Sequence, residues 1–217
     1  VGPSHRAIVA DQWGLSYDAP LRHTREYLEV LRPLLRGEAV EHRGERLTAV
    51  TGLEITGAPA PPPVLLSALG PRMLRLAGEP ELADGTIVTW ARPGLIADYV
   101  VPAMGPAGGR VAALTLVAVT GDPDAVREEV AQAFGGAGNH PSYRAVLERD
   151  GLTNVAETAA IGSEREVGEA VRRYREAGVT DLIVAPWGGP AGRRRVLDVL
   201  DALVREQPRR GRGCDRS

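Results

Sequence analysis

The stretch VLLSALGPRMLRLAGEPELADGTIVTW, residues 64–90, decides the fold. Val64, Leu65 and Leu66 form an apolar run behind Pro59, Pro61, Pro62 and Pro63, the pattern of a strand buried on both faces of a parallel sheet. Gly70 then offers a residue without a Cβ where the chain bends sharply. Pro71 suits the first helical turn, where a missing N–H costs nothing. The spacing predicts strand, glycine turn, a short helix to Ala77, a loop and a second strand near Gly85. A helix entered this way points its free N–H groups at the strand's carboxyl end. That suits a phosphate or carboxylate, and Arg72 can add a charged fork. An ordinary βα turn in which Gly70 and Pro71 only fix geometry fits the same residues.

Outward from this stretch, the same alternation repeats. Towards the amino end, residues 20–36 place Tyr27, Leu28, Leu31, Leu34 and Leu35 on one helical stripe closed by Gly37. Asp18 reads as its N-cap, and Pro33 predicts a kink near Glu29 or a break. Residues 39–50 read as a small surface hairpin around Arg43 and Gly44. Towards the carboxyl end, residues 93–104 read as a helix and residues 111–120 (VAALTLVAVT) as a long buried strand. Asp122 and Pro123 then open a helix running to Phe134. A second helical piece surrounds residues 143–149. Ser163 and Glu166 form a capping box, DLIVA at 181–185 is another buried strand, and a last helix covers residues 191–206. Strands near residues 64, 85, 111 and 181, each followed by a helix, imply a parallel sheet, either doubly wound or a (β/α)8 barrel. In both, chemistry belongs at the strands' carboxyl ends. The chain has no G-x-G-x-x-G opening a helix, which weakens a dinucleotide reading.

Composition narrows the classes. The 217 residues carry 26 basic and 28 acidic side chains, a formal net charge of -2, which gives no case for nucleic acid or an anionic membrane. Every basic residue is arginine. No apolar run approaches the roughly 20 residues needed to span a bilayer, and VGPSHR does not read as a signal peptide, so the expectation is a soluble cytoplasmic protein. Cys214, the single cysteine, sits in an arginine-rich tail, residues 207–217, expected to be disordered beyond a domain of residues 1–206. No spacing of His, Asp or Glu suggests a metal site.

Four pieces carry a resemblance: GPSHR at 2–6, REYLEVLRPLLRGEAV at 25–40, SALGPRMLRLAGE with ADGTI at 67–87, and IGSEREVGEAVRRYREAGVTDLIVAP at 161–186. Together the chain resembles the luciferase-like monooxygenase family, in its branch that uses the deazaflavin coenzyme F420. The resemblance implies an α/β fold, a (β/α)8 TIM barrel, of which this chain covers roughly strands 4 to 8 as a truncated product or a fragment. It implies an oxidoreductase passing hydride between F420, or alternatively FMN, and a small organic substrate. It places the cofactor tail at Leu69, Gly70, Pro71, Arg72 and Met73 with Ser67, and Ser4 and His5 beside the ring, His5 in proton exchange. Trp90 and Trp187, at strand ends, and Trp13, in a lid loop, are the substrate-lining candidates. The acidic and histidine groups of strands one to three have no counterpart here, and a non-catalytic barrel remnant is the competing reading. An open barrel exposes strand edges, which predicts pairing of two copies as a homodimer. His23, His42 and His140 are expected to be solvated.

Overall fold

The computed structural model describes residues 1–54 and 60–206; Pro59, the expected tail and Cys214 lie outside the described residues. A parallel sheet of five strands is built around one hub. Strand β5 (Arg110–Val119) pairs with β4 (Gly85–Thr89) along its first half, with β7 (Asp181–Pro186) through its middle and with β6 (Ala160–Gly162) at its end. Strand β3 (Leu65–Ser67) continues the sheet beyond β4. The order β3, β4, β5, with helices between, is the predicted βα alternation. Among the described residues the sheet does not close into a barrel. Among the described residues the outer edge of β3 makes its ladder hydrogen bonds with Val1, and β7 has β5 as its one strand neighbour. Ile183 on β7 is 41% exposed, as an uncovered strand leaves it.

Burial follows side-chain alternation along β5. Leu116 and Ala118 pack with Val130 of α6 (Pro123–Phe134), while Val117 and Val119 pack with Val167 of α8 (Glu164–Glu176) and Val196 of α9 (Pro190–Glu206). A larger cluster joins Leu66 and Val88 of the sheet to Leu74 and Leu76 of α3 (Pro71–Ala77) and Leu28 of α2 (Pro20–Leu35). The run from α4 (Pro93–Leu95) to α5 (Val101–Met104) contains one wide π turn, Ile96–Val100. Pro102 has no N–H for the carbonyl four residues back, which loosens the ladder just before it. Asp84 ties the lower ends together: its carboxylate accepts the Val64 N–H at 2.6 Å and both Arg32 amino groups at 2.6 and 3.3 Å, and its carbonyl accepts the Arg110 N–H at 2.8 Å.

Several expectations need correction. Ala19, with a left-handed backbone (φ 48°), rather than Asp18 precedes α2; the Asp18 carboxylate instead accepts the Ser16 hydroxyl. Pro33 does not break α2, because it falls in the last turn, where few carbonyls remain to be satisfied. A one-turn helix, α1 (Arg6–Val9), which the sequence did not announce, follows His5, and the short strand β6 was not legible as a strand. The hairpin of β1 (Val40–Arg43) and β2 (Thr48–Thr51) is as expected.

Candidate functional site

The site begins with the first five residues. The Val1 amino group donates to the Leu65 carbonyl at 2.9 Å and the Ser67 N–H donates to the Val1 carbonyl at 2.7 Å, a parallel-ladder contact that docks the first residue on the outer edge of β3. Gly2 is required there, since a Cβ would stand 2.8 Å from that of Ser67. Ser4 adopts a left-handed backbone (φ 60°), and its carbonyl accepts the Tyr17 hydroxyl at 2.7 Å. The chain then reverses so that His5 opens α1 and turns its ring towards α7 (Pro141–Arg149).

There the His5 ring stacks on His140 with centroids 4.3 Å apart, and Tyr143 meets it edge-on at 4.9 Å. The Ser142 hydroxyl lies 3.5 Å from His5 Nδ1. Burial, with the neighbouring His140 imidazole, holds His5 below the ordinary histidine value. From Tyr143 an aromatic line continues across the strand ends. Trp90 stands at 6.5 Å, Phe134 at 5.8 Å from Trp90, and Trp187 at 5.5 Å from Phe134, with Trp187 Nε1–H donating to Glu129 at 3.3 Å. Trp90 and Trp187 are half-buried against Leu116, Ala118 and Ile161.

The opposite end of α7 reaches the turn after β3. Arg149 lies over the Tyr99 ring at 4.0 Å, and the Tyr99 hydroxyl donates to the Leu69 carbonyl at 3.0 Å. Burial raises the Tyr99 phenol, with Arg149 opposing, so it stays a donor. No side chain caps α3, and a Cβ at Gly70 would meet nothing within 4 Å. Arg72 is exposed and has no ion-pair partner among the described residues. Leu69 and Met73 turn inward onto the main core cluster, so their side chains support the turn rather than line an opening. Helix α7 thus links His5, Trp90 and the Leu69 turn, three places that the sequence named separately.

Trp13 lies apart from these groups. It is 61% exposed and lines a groove of about 690 Å³ with Pro3, Leu15, Tyr17 and Tyr27, with no ring contact to Trp90 or Trp187 among the described residues. His140 is half-buried on His5 instead of solvated, because the turn Gly135–Asn139 folds it back. His42 is likewise not solvated: it sits between Glu26 and Glu29 at 3.7 and 3.8 Å, since the hairpin lies on α2. His23 is exposed, as expected. Sequence reasoning missed Tyr99, Tyr143 and Arg149. The signal for Tyr143 was its spacing from His140 across the start Pro141 gives to a helix; nothing local pointed to Tyr99 or Arg149. Among the described residues no three His, Cys, Asp or Glu side chains gather as metal ligands, and no helix is long and apolar enough to cross a membrane.

Residues 1–181 match the family model described as luciferase-like monooxygenase. The chain belongs to that family. It is 29% identical over 194 residues to the 5,10-methylenetetrahydromethanopterin reductase of Archaeoglobus fulgidus, covering 85% of this chain and 52% of that protein. The protein of the same name from Methanolobus tindarius is 32% identical over 93 residues, covering 43% of this chain and 27% of the relative. The chain therefore spans about half, or less, of the length of these relatives. Among solved structures, an F420-dependent secondary alcohol dehydrogenase in complex with an F420–acetone adduct superposes with a TM-score of 0.66 at 19% identity, covering 85% of this chain and 62% of that one. The coenzyme F420-dependent tetrahydromethanopterin reductase of Methanopyrus kandleri gives 0.59 at 22% identity, over 90% of this chain and 70% of that one. These likenesses carry the fold: an α/β luciferase-like barrel of which this chain forms part.

Proposed function

We propose that this chain carries the tail-binding half of an F420 site in a luciferase-like oxidoreductase that transfers hydride between the cofactor and a small organic substrate. One observation carries the reading. The Val1 ladder on β3 holds residues 1–2 against Ser67, just before the turn of residues 69–73, which supports reading the segment of Ser4 and His5 together with that turn as one cofactor site. The two solved structures described as F420-dependent enzymes support F420 over FMN.

The residues present suit the group. The open space at Gly70, the uncapped start of α3 and the guanidinium of Arg72, without an ion-pair partner among the described residues, suit an acidic tail, with Pro71 fixing the turn. Ser4 and Ser67 offer hydroxyls beside it. When bound, the deazaflavin supplies the hydride chemistry. His5, half-buried and held below the ordinary histidine value, is neutral at pH 7 and is the group that accepts or returns a proton at Nδ1 or Nε2. Trp90 and Trp187 wall off the adjoining space and limit water there, while Trp13 stands over the groove beside residues 1–3.

Titrating the purified chain with F420 and, separately, with FMN while following cofactor fluorescence tests the reading. F420 should bind, and Arg72→Ala should weaken it about tenfold, the loss of one charge-assisted contact. Binding of FMN alone would transfer the site to a flavin. Binding of neither would leave a barrel part without a cofactor role.

A further inference from the structure

Trp90 occupies a left-handed backbone conformation (φ 57°), which a bulky residue adopts only when its surroundings impose it. Two fastenings follow it directly in sequence. The buried Tyr174 hydroxyl donates to the Ala91 carbonyl at 3.2 Å. The Arg92 guanidinium then grips Asp150 at the end of α7, reaching both carboxylate oxygens at 2.8 and 3.1 Å and the Asp150 carbonyl at 3.0 Å. The Asp150 side chain is largely buried in this fork. Asp150 follows α7 directly, the helix whose other end holds Tyr143 against His5.

We infer that Tyr174 and the Arg92–Asp150 pair are positioning residues, which hold Trp90 in its left-handed turn and thereby set the Trp90 ring against Tyr143 and Tyr143 against His5. A structural role alone would be met by any well-packed ring at 174 and any surface residue at 92. What singles these out is direction. The first fastening acts on the backbone next to the strained position, and the second anchors the side chain of Arg92, two residues beyond it, to the end of the helix that carries the partner ring. Ser4, the strained residue next to His5, is fastened the same way, by the Tyr17 hydroxyl on its own carbonyl. Of the three left-handed non-glycine residues among the described ones, Ser4 and Trp90 therefore flank one contact line, Trp90 to Tyr143 to His5, and each is held by a tyrosine hydroxyl on its own or the next carbonyl.

The inference rests on reading His5 and Trp90 as parts of the cofactor pocket, but its test needs no cofactor, so the two fail separately. Tyr174→Phe deletes one oxygen and keeps the packing; Asp150→Asn keeps the shape and removes the charge. In the full 217-residue chain, each is followed by NMR titration of the His5 imidazole. If Trp90 and Tyr143 are released, the His5 midpoint rises towards the ordinary histidine value in both variants, while the His23 resonances on α2 stay in place. A thermal-melting cycle supplies the second reading. The Tm loss from Tyr174→Phe should largely vanish in a Trp90→Gly background, where no left-handed penalty remains to be held. An unmoved His5 midpoint together with additive Tm losses would reduce these residues to ordinary packing and overturn the inference.

Discussion

The imidazole rings of His5 and His140 lie stacked, 4.3 Å between centroids and 23° between planes, on the inner side of α7. The contact joins the segment before α1 to a helix more than a hundred residues away, and it depends on charge. Burial, then His140, keep His5 below the ordinary value of 6.5 in the folded chain. In the unfolded chain it titrates at that ordinary value. Above both values the two states bind no proton at this position and the full contact is present. As the pH falls below about 6.5, the unfolded state takes up a proton that the folded state resists, and stability declines until the lower folded value is passed. Urea midpoints measured between pH 8 and pH 5 should therefore fall through this window in the native chain, and fall less in His140→Ala, which has already lost the stack.

Asp84 is the most heavily used carboxylate of the lower sheet end, gripped by Arg32 and by the Val64 N–H. Removing it leaves a half-buried guanidinium and a strand-entry N–H without their acceptor. Asp84→Ala should cost about 2 kcal/mol, between the loss of an exposed ion pair and that of a buried one. Asp84→Asn should cost less, since the amide oxygen still accepts one bond. Chemical denaturation of the two variants checks the order; equal losses would show that charge, not the N–H acceptor, dominates.

The alternation of strands and helices was legible because the strands are apolar runs and each following helix carries a proline start or a cap, although β7, expected to be buried, is only half-buried. Val64 to Leu66 with Gly70 and Pro71, and Ser163 with Glu166, are local signals read without knowing what they pack against. The site was legible only as separate points. His5, Leu69 and Trp90 could be placed at strand ends, but the element that joins them, α7, has a mixed surface whose partners lie 50 to 137 residues away: Tyr99 for Arg149, Arg92 for Asp150, His5 for Ser142. Side chains such as Tyr99 and Arg149 carry no local mark of such a role, because a tyrosine or arginine at these positions reads equally well as surface. His42 was misread for the same reason: the hairpin is a local feature, whereas its seat on α2 is not.

Gly85 is the tightest position in the sheet. It begins β4 with a positive φ of 144°, and a Cβ built there would run into the carbonyl of Arg110 across the ladder. Both the backbone region and the space exclude a side chain, and the neighbour is backbone of the hub strand, which cannot step aside. Gly85→Ala should cost more than about 3 kcal/mol, at the severe end for a single substitution. Gly94→Ala, where a Cβ meets nothing within 4 Å, should be tolerated. Soluble yield and melting temperature of the pair are the measurement, and equal behaviour would contradict the β4–β5 register.

Glu26 seats the hairpin on α2. Its buried carboxylate accepts the N–H groups of Glu45, Arg46 and Leu47 at 3.1, 2.8 and 2.8 Å, with His42 beside it. Burial pushes this carboxyl up, but the three N–H donors together with His42 outweigh that and hold it below the ordinary value. A carboxyl depressed by folding contributes stability above its unfolded value, and that contribution is lost as the pH falls through the folded one. Glu26→Gln keeps the size and loses the charge, so the hairpin should loosen without unfolding the sheet. Limited proteolysis should then cut within residues 40–51 of the variant at neutral pH, and within the same residues of the native chain only under acid conditions. The sheet fragment should stay resistant in both. Cleavage in the sheet at the same rate as in the hairpin would mean that Glu26 supports the whole fold and not this seat alone.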